Sequence, residues 1–330
     1  MPGAQERVLR RRISSVKATK KITRAMELIA ASRVVRAQQR ANAAKPYARQ
    51  ITGVIEDLAA SGASVNHPLL REATDVNRVG YIVLTSDRGL AGAFSTSVIR
   101  AAEREIMAGQ LDGEDYELFV VGRKADGYFR FRNYRVEAAY TGISDKPTYE
   151  NAREIAELIT DKFVSGALDK VVLIYTEFLS IGSQRVVVRN FLPLQRAETI
   201  AAEGEAANVA GFEFEPSPES VLADLLPRYV EARLFAAMLE SAASEHANRQ
   251  RAMKSATDNA EDMITRLSRQ LNRARQDSIT TEIMEIVAGA EGLKGDKGSA
   301  EDLLLDRLSA IHALPRHDGA AHHHSPPSNV

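Results

Sequence analysis

The sequence predicts an α/β protein in which the N- and C-terminal helices form a long antiparallel coiled coil and carry a central α/β domain. Three observations lead there. Residues 4–45 and 228–288 contain neither Gly nor Pro, and uninterrupted stretches of that length point to a coiled coil or a helical array rather than to ordinary globular helices. No 20–50-residue repeat is visible, which removes the array. Both stretches repeat small or apolar residues at steps of three and four, a narrow seam rather than a broad core-facing surface. Between them, β-branched and aromatic runs of strand length alternate with helical patterns, the order of a largely parallel sheet.

The N-terminal seam runs through Ile13, Val16, Thr19, Thr23, Met26, Ala30, Val34, Ala37, Ala41 and Ala44. At 1.5 Å per residue this helix extends about 60 Å. Strands are expected at 79–87 (VGYIVLTSD), 116–122 (YELFVVG), 135–142 (RVEAAYTG), 170–178 (KVVLIYTEF) and 185–194 (RVVVRNFLPL), with helices at 96–108 and 149–167 between them. They make a Rossmann-like domain with a mostly parallel sheet closed by an antiparallel pair. The C-terminal seam runs through Leu234, Met238, Ala242, Glu245, Arg249, Ala252, Ala256, Ala260, Ile264, Leu267, Leu271, Ala274, Ile279, Ile283 and Ile286, with Gly289 as a stop. Its Ala-rich middle lets two backbones approach closely. The expected division is a coiled-coil helix at 1–60, the α/β domain at 76–195, an acidic linker at 196–226, the second coiled-coil helix at 227–289 and an extension at 290–330. Within the extension, Ser299 can cap a short amphipathic helix, and 317–330 is low-complexity sequence with three consecutive His.

Charge is balanced overall, with a formal net charge of −1, but unevenly placed: residues 1–50 hold 13 Lys or Arg against 2 acids, and residues 197–227 hold 7 acids and no Lys or Arg. Such segregation suggests a local electrostatic partner. The chain has no cysteine, which excludes disulfides, thiolate metal sites and Cys nucleophiles. No apolar run approaches the length of a membrane span, and the basic N-terminus lacks the apolar region of a secretory signal.

An α/β centre invites a nucleotide-binding reading, and its glycines argue against one. TSDRGLAGAFSTS (85–97) puts Gly89 and Gly92 after a strand and before a helix, where a phosphate loop sits. The spacing is G-x-x-G, without the dinucleotide fingerprint or a Gly-Lys-Ser/Thr ending. In VVGRKADGYF (120–129), Tyr128 and Phe129 stand where a phosphate loop needs Lys and Ser or Thr. Both read as tight strand-to-helix turns, with Asp87 and Arg88 pairing or capping the first. Only His67 and His246 precede the tail, and no metal spacing, catalytic triad or H-E-x-x-H motif is present. No cofactor, metal site or catalytic residue is expected.

Three stretches resemble a known family. RISSVKATKKITRAMELIAASRV (12–34), SDRGLAGAF (86–94) and SEHANRQRAMKSATDNAEDMITRLSRQLNRARQDSITTEIMEIVAGAEGL (244–293) are similar to motifs of the gamma subunit of rotary ATP synthases. The resemblance covers about residues 3–293. It implies a central rotor shaft whose paired terminal helices turn inside a hexamer of alternating α and β subunits. The α/β domain is then a foot touching the epsilon subunit and the membrane c-ring. It further implies that Lys20, Lys21, Arg24 and Met26 meet acidic levers of the β subunits, and that Arg275 and Gln276 hydrogen-bond a β-subunit loop. Thr280, Glu282 and Glu285 lie in the same C-terminal block, and Asp87, Arg88, Gly89 and Gly92 form the foot-domain turn. The implied location is peripheral, on the cytoplasmic side of a bacterial plasma membrane.

The chain departs from the family in having Ala91, Ala93 and Ser95 where many members have Cys, Gly and Asn. It also lacks the regulatory cysteine pair of chloroplast members. Residues 294–330 pass the usual family end, near where the delta subunit is expected. The competing expectation is a nucleic-acid-binding protein using the basic helix. Against it, Tyr47 is the sole aromatic residue in the first fifty, which leaves no stacking platform.

Overall fold

The computed structural model describes residues 2–60, 67–71, 73, 75–194 and 217–293. The chain divides into two compact units, Met1–Val16 with Met263–Val330, and Lys17–Asp262. Most of the expected acidic linker and extension, residues 195–216 and 294–330, lie outside the described residues.

Two helices bracket the sequence: α1 (Pro2–Ala60) at one end and α5 (Pro218–Leu293) at the other. Both run through a proline, Pro46 in α1 and Pro227 in α5. An interior proline removes one helical hydrogen bond and crowds the preceding turn, at a cost of about 3 kcal/mol. Burial offsets it. Leu222, Leu226, Val230 and Leu234 follow each other at four-residue steps around Pro227 and are at most 1% exposed. Each such side chain contributes roughly 1.5–3 kcal/mol on burial. The helix therefore begins nine residues before Pro227, where the sequence reading had a linker. It also continues past Gly289 to Leu293.

The sheet comprises β1 (Arg78–Leu84), β2 (Asp115–Val121), β3 (Val136–Tyr140), β4 (Lys170–Phe178) and β5 (Gln184–Leu192). Its order is β3-β2-β1-β4-β5, with β4 and β5 antiparallel and every other pair parallel. That is the mostly parallel sheet with one antiparallel pair that the sequence predicts. The connecting helices are α2 (Phe94–Leu111), α3 (Arg123–Phe131) and α4 (Tyr149–Val164). The short α3 follows the turn at Gly122, which the sequence reading took as a strand-to-helix turn without giving the helix bounds. One face of the sheet, through Ile82, Leu84 and Phe119, joins a core with α4 and the Leu226–Met238 part of α5. The other, through Val79, Tyr81 and Val83, packs on Val98, Ala102 and Ile106 of α2 and Phe129 of α3. Helices on both faces bury β1, which explains its unbroken apolar run.

Within the Lys17–Asp262 unit, Thr23 meets Thr257 and Lys20 meets Glu261. Residues ascending in α1 thus meet residues descending in α5, an antiparallel pairing. Thr23, Ala30, Val34 and Ala37 are buried in α1; Met238, Ala242, Glu245, Arg249, Met253, Thr257 and Ala260 are buried in α5. Met253 and Thr257 fill the centre of this seam, and the expected seam residues Ala252 and Ala256 sit half-buried beside it. In the other unit Leu9, Ile13 and Ser278 are buried, but Ile279 and Ile283 are 49% and 54% exposed. The seam steps from Ala274 to Ser278, and a residue one place further on lies about 100° around the helix. These two isoleucines are therefore surface residues of the chain, contrary to the sequence reading.

Candidate functional site

The turn after β1 shows first what kind of site this is not. Leu90 (φ +65°) and Gly92 (φ +60°) take left-handed backbone conformations, which bend the chain sharply into α2. The Arg88 and Gly89 carbonyl oxygens lie 3.5 and 3.3 Å from Nη2 of Arg249 on α5, which donates to them. A phosphate loop turns N–H groups toward an anion; this turn offers carbonyl oxygens to a cation. Gly89 and Gly92 are thus placed against Lys124 and Ala252 respectively, each 3.7 Å from where a Cβ would stand. Asp87 does not pair with Arg88. Its carboxylate accepts the N–H of Arg123, at the start of α3, and the N–H of Ser144. Burial alone would raise its pKa, but hydrogen bonds from Gly142, Ser144 and Arg123 outweigh that and hold it below the usual carboxylate range.

These contacts belong to a larger polar joint between the α/β domain and both long helices. Arg249 Nη2 also donates to Glu245 Oε1 at 2.6 Å, one helical turn away. On the facing loop, Asp145 is held from two sides: Arg33 of α1 donates to Oδ2 at 2.6 Å, and His246 Nε2 of α5 lies 3.4 Å from both Oδ1 and the Asp145 carbonyl. Nη1 of Arg249 faces His246 Nδ1 at 3.5 Å. Because an arginine only donates, Nδ1 must be the acceptor, and the ring proton sits on Nε2, aimed at Asp145. His246 is 1% exposed. Burial lowers its pKa to about 4; Asp145 opposes the shift, and Arg249 and Arg33 reinforce it. Burial pushes the Glu245 carboxyl up, and Arg249 pulls it back. Sequence reasoning set Glu245 and Arg249 on the seam without pairing them and assigned no role to Arg33, Ser144, Asp145 or His246. Two charges at i, i+4 within an otherwise small and apolar seam were the available signal.

Around this joint lie the cations that the sequence singles out. Lys20 Nζ is 2.9 Å from Glu261 Oε1 of α5, so Lys20 is engaged within the helix pair. Arg24 is 57% exposed and rests one arm on Glu27, at 2.8 Å. Lys21 is exposed and Met26 half-buried. The predicted α1 residues therefore occupy one segment but not one environment. In the other unit Arg275, Gln276, Glu282 and Glu285 are all exposed, and Thr280 donates to the Gln276 carbonyl of its own helix at 2.9 Å. Ile279, Ile283, Met284 and Val287 are exposed on the same segment. Among the described residues no helix is long and apolar enough to cross a membrane.

Comparison with known proteins agrees with this architecture. The family model described as ATP synthase matches residues 5–293. The ATP synthase gamma chain of Frankia casuarinae is 50% identical over 295 residues, covering 88% of this chain and 98% of the relative. That of Mycolicibacterium smegmatis is 47% identical over 309 residues, covering 89% and 100%. Among solved structures, a chain of the Euglena gracilis mitochondrial ATP synthase OSCP/F1/c-ring assembly aligns with a TM-score of 0.62 at 16% identity. The alignment covers 90% of this chain and 97% of that one. A chain of the Tetrahymena thermophila mitochondrial ATP synthase central stalk and c-ring aligns at 0.53 and 23% identity, covering 71% and 99%. The structural matches speak to fold alone, while the sequence relatives speak to family and lend nothing to the nucleic-acid alternative. The chain belongs to the ATP synthase gamma-chain family, the non-catalytic rotor subunit through which rotation is coupled to ATP synthesis.

Proposed function

We propose that the coupling contacts of this rotor lie on the outside of the helix pair. Lys21, Arg24 and the exposed part of Lys20, beside Met26, meet acidic surfaces of the surrounding α and β subunits. Further along α5, Arg275 and Gln276 hydrogen-bond a β-subunit loop, with Thr280, Glu282 and Glu285 in the same exposed block. The observation that carries this reading is that small residues fill much of the seam while Lys21 and Arg24 face outward, among separate apolar side chains such as Ile22 and Ile29. A shaft that must turn inside a ring cannot bind one wall through a broad apolar face. Exposed ion pairs are weak, about 0–1 kcal/mol each, so they can be exchanged at every step while still transmitting force in number.

The α/β domain, with its turn at Asp87, Arg88, Gly89 and Gly92 tied to α5, serves as the foot that meets the epsilon subunit and the membrane c-ring. The complex is membrane-associated, and this chain attaches peripherally through those partners, on the cytoplasmic side of a bacterial plasma membrane. Residues 294–330, which lie outside the described residues, are assigned a peripheral or regulatory role close to the delta subunit. Deleting 295–330 is expected to alter assembly, coupling or ATPase inhibition, and no change in any of the three would remove that assignment. For the contacts themselves, a pull-down with this chain as bait is expected to retain α and β subunits. Charge reversal at Lys21 and Arg24 together should lower ATP-driven proton pumping more than ATP hydrolysis. Equal loss of both activities would count against a coupling role.

A further inference from the structure

The seam between α1 and α5 is rich in small residues, and such a seam has a weakness. Ala30 and Ala37 on α1 and Ala242 and Ala260 on α5 interlock little. Sliding one helix along the other by a turn would exchange Ala37 with Ala41 and Ala260 with Ala256, while buried Val34 and Met253 would lose their places. At the small-residue layers packing therefore discriminates weakly between axial registers, and where apolar packing is permissive, a buried polar contact specifies register.

One such contact crosses the seam. Thr257 Oγ1 of α5 lies 2.9 Å from Thr23 Oγ1 of α1, with Thr23 9% and Thr257 6% exposed. Each hydroxyl has one proton, and each has a carbonyl of its own helix within reach: Lys20 O at 3.1 Å from Thr23, and Met253 O at 2.9 Å from Thr257. Whichever threonine donates across the seam, the other sends its proton back into its own helix, so the pair is satisfied in either sense. A turn away, Lys20 and Glu261 bridge the same two helices at 2.9 Å.

We propose that the Thr23–Thr257 hydroxyl pair is a register pin that positions the coupling contacts of this rotor. It holds α1 at one height against α5 immediately beside Lys21, Arg24 and Met26, so that these residues stand at a defined level toward the surrounding subunits. The inference rests on the coupling role given to those residues above. Losing a neutral hydrogen bond of this kind changes a local equilibrium by about two- to tenfold, enough to populate a slipped register without unfolding the coil.

The test uses the full chain reconstituted into a gamma-depleted complex, with proton pumping and ATP hydrolysis measured on the same vesicles. Thr257→Val is isosteric, and the double variant Thr23→Val/Thr257→Val leaves no hydroxyl unpaired. A role limited to stability predicts that the double variant, having lost both polar partners, behaves like the parent. The register pin predicts that both variants assemble and hydrolyse ATP, with pumping per ATP lowered about two- to fivefold, and that Thr257→Ser restores it. Because the chain has no cysteine, spin labels at Ala18→Cys and Ser255→Cys report register directly. The valine variants should show a second distance population displaced by about one helical turn, 5.4 Å. Parental pumping in the double variant, a single unshifted distance, or failure of both valine variants to assemble would overturn the pin. If the parent chain itself restores no coupled pumping, it is the rotor contacts that fail.

Discussion

Arg249 ties α5 to the α/β domain through several contacts of one side chain. Its guanidinium serves Glu245 on its own helix, the carbonyls of the 88–89 turn, and His246. Removing it leaves Glu245, 1% exposed, as a buried carboxylate without its cation. Losses of that kind cost about 3–5 kcal/mol. Arg249→Ala is therefore expected to lower thermal stability sharply, and a melting temperature within a degree of the parent would refute the ion-pair account. His246 adds a pH dependence. Its pKa in the folded chain is about 4, against 6.5 for the free side chain. The unfolded state therefore binds a proton first as pH falls. Stability is lost between about pH 6.5 and 4 and levels off below, and on the order of 3 kcal/mol is at stake. The groups facing the ring are Asp145, Arg33, Arg249 and Glu245. His246→Gln keeps a side chain able to donate to Asp145 and accept from Arg249, and it should flatten the melting-temperature profile over that window. Parallel profiles for variant and parent would contradict the assignment.

At the scale of elements, the strands were legible because β1, β2 and β4 are buried on both faces and read as continuous β-branched runs. The long helices were legible from their length and seam. The start of α5 was not, because Pro227 is a helix breaker in any local reading, and only the core contacts of Leu222, Leu226 and Val230 override it. The joint was illegible for a different reason: Asp145 and His246 stand 101 residues apart, and no local pattern links a loop aspartate to a helix histidine. Ile279 and Ile283 were misplaced because an isoleucine one position off a seam has the same spacing as one on it. Gly122 is an element-scale constraint that spacing hinted at. Its φ is +100°, and a Cβ there would lie 2.4 Å from the Thr85 carbonyl oxygen, where the ends of β1 and β2 close together. Gly122→Ala should cost more than about 2 kcal/mol through strain and clash, as measured by chemical denaturation. A loss below about 0.5 kcal/mol would show that the strand ends can part.

For the whole molecule, the basic stretch of residues 10–40 changes meaning once the fold is known. Its ten cations against one acid suggested a nucleic-acid binder. In the structure, Lys20 turns to Glu261, Arg24 to Glu27 and Arg33 to Asp145, so part of the charge is spent inside the chain. The remainder, Lys21 among it, is presented outward together with the exposed part of Arg24. The reversal Lys21→Glu should accordingly leave the melting temperature close to the parent, since exposed charges contribute little to stability, whereas Arg24→Glu also takes the cation from buried Glu27 and should lower it. The effect of the double reversal on coupling should shrink at high salt, where such contacts are screened. A salt-independent defect would point to misfolding instead.

As the non-catalytic rotor subunit, this chain transmits rotation and performs no chemistry of its own. Adding the purified chain to a gamma-depleted synthase, beside an ATPase assay of the chain alone, tests it most directly. The expected result is no hydrolysis by the chain and restored, proton-coupled hydrolysis by the complex. Robust ATP hydrolysis by the isolated chain, or a complex that stays uncoupled after the chain has bound, would contradict it.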